Sequence, residues 1–213
     1  MTSGLRERQK IDRSNRILDV ARDRFQSEGY DAVTIESIAA DANVSAVTVY
    51  NYYGTKANLL LALVKESDER LIAQLRALTE SLPLDIREAV AEFGQIMRRH
   101  AMTYLTKRTW REVIASSILQ GGRQFGQTYQ ALDRVLIGIM ADIMVIYQQQ
   151  GSLTPEIEAA GFADTLFEMQ NIRFFQFVSD DDQGEATADQ IFRRDVWAIF
   201  ATKQVYHHSE IRT

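Results

Sequence analysis

The sequence predicts an all-α protein of about nine helices, with a short N-terminal domain over residues 1–55 and a longer helical domain over 56–213. Three observations predict it. Apolar residues recur at three- and four-residue spacing over long stretches, the period of a helix face. Only 2 prolines and 11 glycines punctuate 213 residues, so long elements run unbroken. Apolar residues make up 46% of the chain, enough for a sizeable core and too many for a disordered polymer. The absence of cysteine removes a disulfide framework and a thiolate metal site, and suits a reducing cytoplasm. The polar, charged N-terminus does not read as a signal peptide. The longest apolar stretch, Val135 to Tyr147, is interrupted by Asp142 and too short to span a bilayer. A cytoplasmic protein with no membrane partner is expected.

The elements follow in order. Arg8 to Glu28 forms the first helix, with Ile17, Val20, Ala21 and Phe25 inward and Gly29 ending it. Thr34 caps a short second helix carrying Ile35, Ile38 and Ala39 on one face. Asp41-Ala42-Asn43 breaks the pattern, and Asn43 tolerates the left-handed backbone that a tight turn needs. Ser45 caps a third helix, from which Val49 and Tyr53 face inward. A fourth, Lys56 to Glu80, carries a leucine stripe, ends before Pro83 and would join the head to the rest as one rod. Asp85 to Glu88 resembles a capping box opening a fifth helix to about Lys107. Trp110 to Gln120 is a sixth, closed by Gly121-Gly122, and Phe125 to Gln150 a seventh. Thr154-Pro155 starts the eighth, and Thr187 to Gln190 is a capping box for the ninth.

The second and third helices read as a helix-turn-helix. Ala46, Val47, Thr48, Asn51 and Tyr52 lie on its outer faces, where short hydroxyl, amide and phenol groups can bond base edges or phosphates. A merely solvated face would be rich in Lys and Glu. Ile17, Ala21, Phe25, Gly29, Thr34, Ile38-Ala39, Ala42, Val44-Ser45, Thr48, Tyr50, Tyr53, Lys56 and Leu59-Leu60 together resemble the N-terminal domain of the tetracycline-repressor (TetR) family of bacterial regulators. The resemblance covers about residues 10 to 62. Asn43 stands where Gly is common, Val47 where a small residue is frequent, and Asn58 where Glu often sits.

The resemblance implies double-stranded DNA with a palindromic operator as partner, and an N-terminal helix-turn-helix domain followed by a ligand-binding and dimerisation domain. It implies that Thr34, Tyr50, Tyr52 and Lys56 hold phosphates, while Val47, Thr48 and Asn51 sit nearest the bases and Ser45 opens the reading helix. Each residue also has a plain structural role. Tyr50 could pack under the domain, and Thr34 and Ser45 could be caps only. Val47 could add a methyl contact to thymine.

Charge runs the other way. The chain carries a net −5, whereas a DNA-binding domain is expected to be basic. Residues 1–66 hold nine basic and nine acidic residues, so the whole −5 lies beyond them. Within the head, Arg6, Arg8, Lys10, Arg13 and Arg16 concentrate positive charge at the N-terminus, either as an arm near the backbone or minor groove or as a solvated tail.

The C-terminal part carries Phe93, Met97, His100 and Tyr104 on the fifth helix, Trp110 on the sixth, Met140 and Met144 on an almost wholly apolar seventh, and Phe167, Gln170, Asn171 and Phe174 on the eighth. Such side chains suit either an apolar small-molecule pocket or a packed core with a few satisfied polar groups. The family resemblance implies an effector pocket of unknown ligand. Ala163, Phe167, Gln170, Phe174 and Phe177 on the eighth helix, with Phe192, Val196, Ile199 and Tyr206 on the ninth, form stripes that need covering. The resemblance implies a homodimer through these last two helices, and packing within one chain is the alternative.

Catalytic, cofactor and metal patterns are not found. No Glu precedes His100, His207 or His208 by three residues, as a di-iron bundle requires. Gly121 to Gly126 lacks the ending of a P-loop, adjacent His207-His208 read as a frayed end, and Asp180 to Asp182 lack EF-hand spacing. The sequence therefore predicts a non-enzymatic transcription regulator, a repressor in the first instance. An activator of the same fold and a small-molecule-binding helical protein without DNA function are the alternatives.

Overall fold

In a computed structural model of the chain, residues 2–120 and 122–201 are described. They form nine helices and no strand: α1 (Thr2–Ser27), α2 (Ile35–Asp41), α3 (Ala46–Tyr53), α4 (Lys56–Glu80), α5 (Ile86–Tyr104), α6 (Lys107–Leu119), α7 (Gln124–Gln149), α8 (Ala159–Ser179) and α9 (Glu185–Phe200). Gly121, Tyr206, His207 and His208 lie outside the described residues. No helix among the described residues is long and apolar enough to cross a membrane.

Four helix starts differ from the sequence expectation. α1 is already helical at Thr2. An α-helix is about 10–12 Å across and the minor groove about 6 Å wide, so this segment does not offer an extended minor-groove arm. α6 begins earlier, because the Thr106 hydroxyl accepts the amide of Thr109 at 3.3 Å. α8 begins at Ala159 rather than Pro155: the Glu158 carboxylate accepts the amides of Ala160 and Gly161 and caps the helix more strongly than Thr154 could. α9 starts at Glu185 after Gly184 with no side-chain cap, so Thr187 lies within its first turn. Asp85 does open α5, but by accepting the Arg87 amide at 2.8 Å instead of forming a capping box with Glu88.

The chain divides into two compact units. The first takes the residues up to Asp68 together with Thr103–Tyr129. Its core is Ile17, Ala21 and Phe25 of α1, Ile38 of α2, Val49 of α3 and Leu59 and Leu60 of α4, all fully buried. Trp110, Val113 and Ile114 of α6 are buried in the same unit. Gly29 has a positive φ of 84°, and a Cβ there would stand 3.0 Å from the Arg108 guanidinium, so both backbone and space favour glycine.

The second unit takes Glu69–Met102 and the residues from Gln130 on. Leu75 of α4, Phe93 of α5, Met140 and Met144 of α7, Phe167 of α8 and Phe192 and Val196 of α9 meet in one cluster. α7 is buried along one side only, since Val135 and Val145 are exposed while Ile139, Met140, Ile143 and Met144 are not. The stripes of α8 and α9 are likewise accounted for. Ala163, Phe167, Gln170, Phe174, Phe177, Phe192 and Val196 are all buried within the chain itself.

Candidate nucleic-acid interface

The reading head is built by caps and one left-handed residue. Thr34 and Ser37 form a reciprocal capping box: the Thr34 hydroxyl accepts the Ser37 amide at 3.1 Å, and the Ser37 hydroxyl accepts the Thr34 amide at 3.2 Å. Asn43, at φ 53°, is the one non-glycine residue with positive φ among the described residues, as its amide side chain allows. The turn then returns the Val44 amide to the Ala39 carbonyl at 2.9 Å. Ser45 caps α3 by accepting the Thr48 amide at 3.1 Å, and its hydroxyl meets that of Thr48 at 2.9 Å.

Val49 fixes the rotation of α3 by pointing wholly inward. One turn on, the Tyr53 phenol bonds Ser14 of α1 at 2.8 Å, and burial pushes that phenol up from its ordinary pKa. The helical period then leaves Val47, Tyr50 and Asn51 outward. Val47 is 66% exposed and Tyr50 45%, which is unusual for large apolar and aromatic residues on a short helix. Thr48 and Tyr52 are half-buried.

Several of the residues expected at phosphates already have partners inside the head. The Lys56 ammonium donates to the carbonyls of Tyr30 and Val33 at 2.8 and 2.9 Å and lies 4.2 Å from the Tyr30 ring centroid. One N–H remains for an anion. The Tyr52 phenol donates to the Lys10 carbonyl at 3.3 Å, which ties α3 to α1. The Tyr50 phenol donates to Glu36 at 3.3 Å, and the negative charge of Glu36 holds its pKa above the ordinary tyrosine value. Sequence reasoning missed Glu36, because nothing in the spacing pairs residue 36 with residue 50; only the docking of α2 on α3 does.

The basic residues divide in the same way. Arg22 bonds Asp19 and Glu66, and Arg24 bonds Glu28 and Asp41. The side chains of Arg6, Arg8, Lys10, Arg13 and Arg16 are exposed along α1.

Residues 17–63, which hold this capped helix, Asn turn and second capped helix, match the family model for bacterial regulatory proteins of the tetR family. The chain carries a TetR-family DNA-binding domain. Beyond that domain the likeness extends over most of the chain's length, to proteins named as HTH-type transcriptional regulators. The HTH-type transcriptional regulator EthR of Mycolicibacterium smegmatis is 23% identical over 176 residues, 82% of this chain and 79% of that one. UidR of Escherichia coli strain K12 is 21% identical over 187 residues, 86% of this chain and 91% of that one.

Among solved structures, a TetR-family regulator from Pectobacterium atrosepticum superposes with a TM-score of 0.72 at 18% identity, covering 91% of this chain and 94% of that one. A transcriptional regulator from Saccharomonospora viridis in complex with choline gives 0.66 at 17%, with 92% and 98% covered. FadR from Bacillus subtilis in complex with stearoyl-CoA gives 0.65 at 16%, with 90% and 98% covered. These relatives are named as transcriptional regulators, and the solved structures share the fold.

The residues expected at an effector fall into both units. Phe93, His100, Met140, Met144, Phe167, Gln170 and Phe174 are buried in the second, with Met97 and Asn171 half-buried there. Tyr104 and Trp110 belong to the first. Sequence reasoning passed over Arg98, which is 1% exposed: its guanidinium donates to Asp189 of α9 at 2.8 and 2.5 Å, and Gln95 donates to the other Asp189 oxygen at 2.9 Å. A charged residue on a helix otherwise read by its apolar stripe gives no sequence signal that its partner lies 91 residues on.

Proposed function

We propose that the chain is a homodimeric repressor that leaves a palindromic operator when a small, largely apolar effector binds in the second unit. The observation that carries the DNA part is the outward face of α3, where exposed Val47 and Asn51 stand one turn apart on a helix fixed by Ser45 and Val49. An amide at Asn51 can bond adenine bidentately in the major groove, and Val47 can pack on a thymine methyl. Thr34, Tyr50, Tyr52 and the third N–H of Lys56 would set the register on phosphates, with Thr48 beside the bases.

The energetics of binding support the dimer. A single head with few free cations binds weakly, and two heads on half-sites about one helical turn apart add their energies. Because the inward stripes of α8 and α9 are used within the chain, pairing through these helices would rest on their remaining faces, which include exposed Ile172 and half-buried Phe175 and Ile199. The effector part draws on the buried Phe93, Met140, Met144, Phe167 and Phe174, and on the two similar structures that hold choline and stearoyl-CoA. Release needs an effector that prefers the non-binding state; a hundredfold preference supplies about 2.7 kcal/mol.

Selection of bound duplexes from a random DNA pool tests this reading. A palindromic consensus, weakened by Thr48→Ala and Asn51→Ala, is expected. No enrichment at low salt, or a consensus without two-fold symmetry, overturns the dimeric operator. No change in operator affinity across a broad small-molecule library overturns the effector switch.

A further inference from the structure

Gln170 of α8 is 1% exposed, and neither its Nε2 nor its Oε1 meets a hydrogen-bond partner. Buried amides are rarely left so, because nothing inside the core replaces the water they give up. A second group in the same unit shares the condition. Arg98 places Nε and Nη2 on Asp189, while its Nη1 is buried and unbonded.

Gly94 relates the two. It lies one turn before Arg98 on α5, and a Cβ there would stand 2.9 Å from Gln170 Oε1 and 2.3 Å from the Phe192 ring. The missing side chain is what lets α5, α8 and α9 converge on Gln170. Gln170, with both amide functions free, thus packs against α5 at Gly94, and one turn along the same helix Arg98 carries a buried guanidinium edge with N–H groups to give.

We propose that Gln170 and Arg98 form the polar end of a ligand site in the second unit, and that the site takes a neutral head carrying a carbonyl beside an N–H, as in a primary carboxamide or a lactam. The assignment rests on the reading that this unit binds an effector, and it names the class of that effector. The donor inventory sets the class. Gln170 offers two N–H groups and one carbonyl, and Arg98 Nη1 adds further N–H groups, so the ligand must mainly accept and give one proton to Gln170 Oε1. The charge of Arg98 is already balanced by Asp189, so a carboxylate gains no free cation there. A quaternary ammonium has nothing to accept these donors. The apolar remainder packs among Met97, Met140 and Met144, whose unbranched side chains can change rotamer to make room.

The test uses the full-length protein and four probe series of matched chain length: alkyl primary carboxamides, alkanols, carboxylates and trimethylammonium ions. Binding is followed by thermal shift and tryptophan fluorescence for the wild type, Gln170→Leu and Gln170→Met. The carboxamide is expected to bind at least tenfold tighter than the alkanol in the wild type, with the advantage falling below threefold in both variants while alkanol binding persists. Without ligand, both variants are expected to melt no lower than the wild type. Equal carboxamide and alkanol affinities overturn the polar end but leave an apolar effector site standing. Tighter binding of the carboxylate or the ammonium ion overturns the assigned class. No binding by any carboxamide overturns the site. Binding that depends on Gln170 but leaves operator affinity unchanged upholds the ligand assignment and overturns the effector reading.

Discussion

At the scale of single residues, the side chains proposed to meet DNA are also tied to one another, and this makes their contributions separable. Glu36 places a carboxylate beside the Tyr50 phenol on the face that would meet phosphates, so it both occupies the hydroxyl and repels the backbone. Glu36→Gln keeps an acceptor and removes the charge. Operator affinity is expected to rise about three- to tenfold, or roughly 0.6–1.4 kcal/mol across two heads. Fluorescence anisotropy on a short duplex reads this, and an unchanged or weaker affinity would place Glu36 away from the DNA. Lys56 makes the opposite case. With two carbonyls and the Tyr30 ring engaged, Lys56→Met is expected to lower folding stability by about 2 kcal/mol or more in urea titration. A variant that loses operator affinity with unaltered stability would show the lysine serving DNA alone. The left-handed Asn43 and the caps Thr34 and Ser45 were legible in the sequence, because a cap or turn needs only its neighbours along the chain. The engagements of Lys56, Tyr52 and Tyr50 were not, since their partners are 14 to 42 residues away.

At the scale of helices, periodicity gave the presence of all nine elements, and α4 to the residue, but not what covers each face. The α8 and α9 stripes looked like a pairing surface because an amphipathic face must be buried against something, and period alone does not say whether that is the same chain. The same limit applies to polar residues on buried faces. Asp133, in the third turn of α7, is half-buried, and burial with the nearby charge of Glu168 pushes its carboxyl up to about 7. The folded state therefore holds a proton that the unfolded chain releases near pH 4. Stability from this group is greatest below about pH 4 and falls as pH rises to about 7, above which it is level. Asp133→Asn is expected to remove that slope and to stabilise the protein at pH 8 by roughly 1–4 kcal/mol. Urea midpoints of both proteins at pH 5 and pH 8 decide it, and parallel changes in the two would mean that Asp133 titrates normally.

At the scale of the whole molecule, the distribution of charge was legible in the sequence, whereas the availability of each charge needed the structure. A net-neutral head attached to a chain carrying −5 is an unpromising polyanion binder by count. Yet the count conceals a division, because Arg22, Arg24 and Lys56 are held by partners within the head, whereas α1 presents an exposed row. On that helix Arg6, Lys10 and Arg13 share one face, and Tyr52 of α3 bonds the Lys10 carbonyl, which brings this stretch of α1 beside α3. Arg8 lies away from it, and Arg16 lies at its edge beside Arg13. On the proposed reading, about three phosphates per head, and about six for a dimer, would be neutralised from α1. Each removes about 0.9 from the slope of log affinity against log salt, so a slope near −5 is expected. Lys10→Ala should flatten it by about 2, one unit for each head, while leaving the selected consensus unchanged, since phosphate contacts carry no sequence. A slope shallower than about −2 would remove α1 from the interface and leave recognition to α3 alone. A slope beyond about −8 would mean that Arg22 or Arg24 leaves its carboxylate when DNA binds, so that part of the head's charge is released by the operator itself.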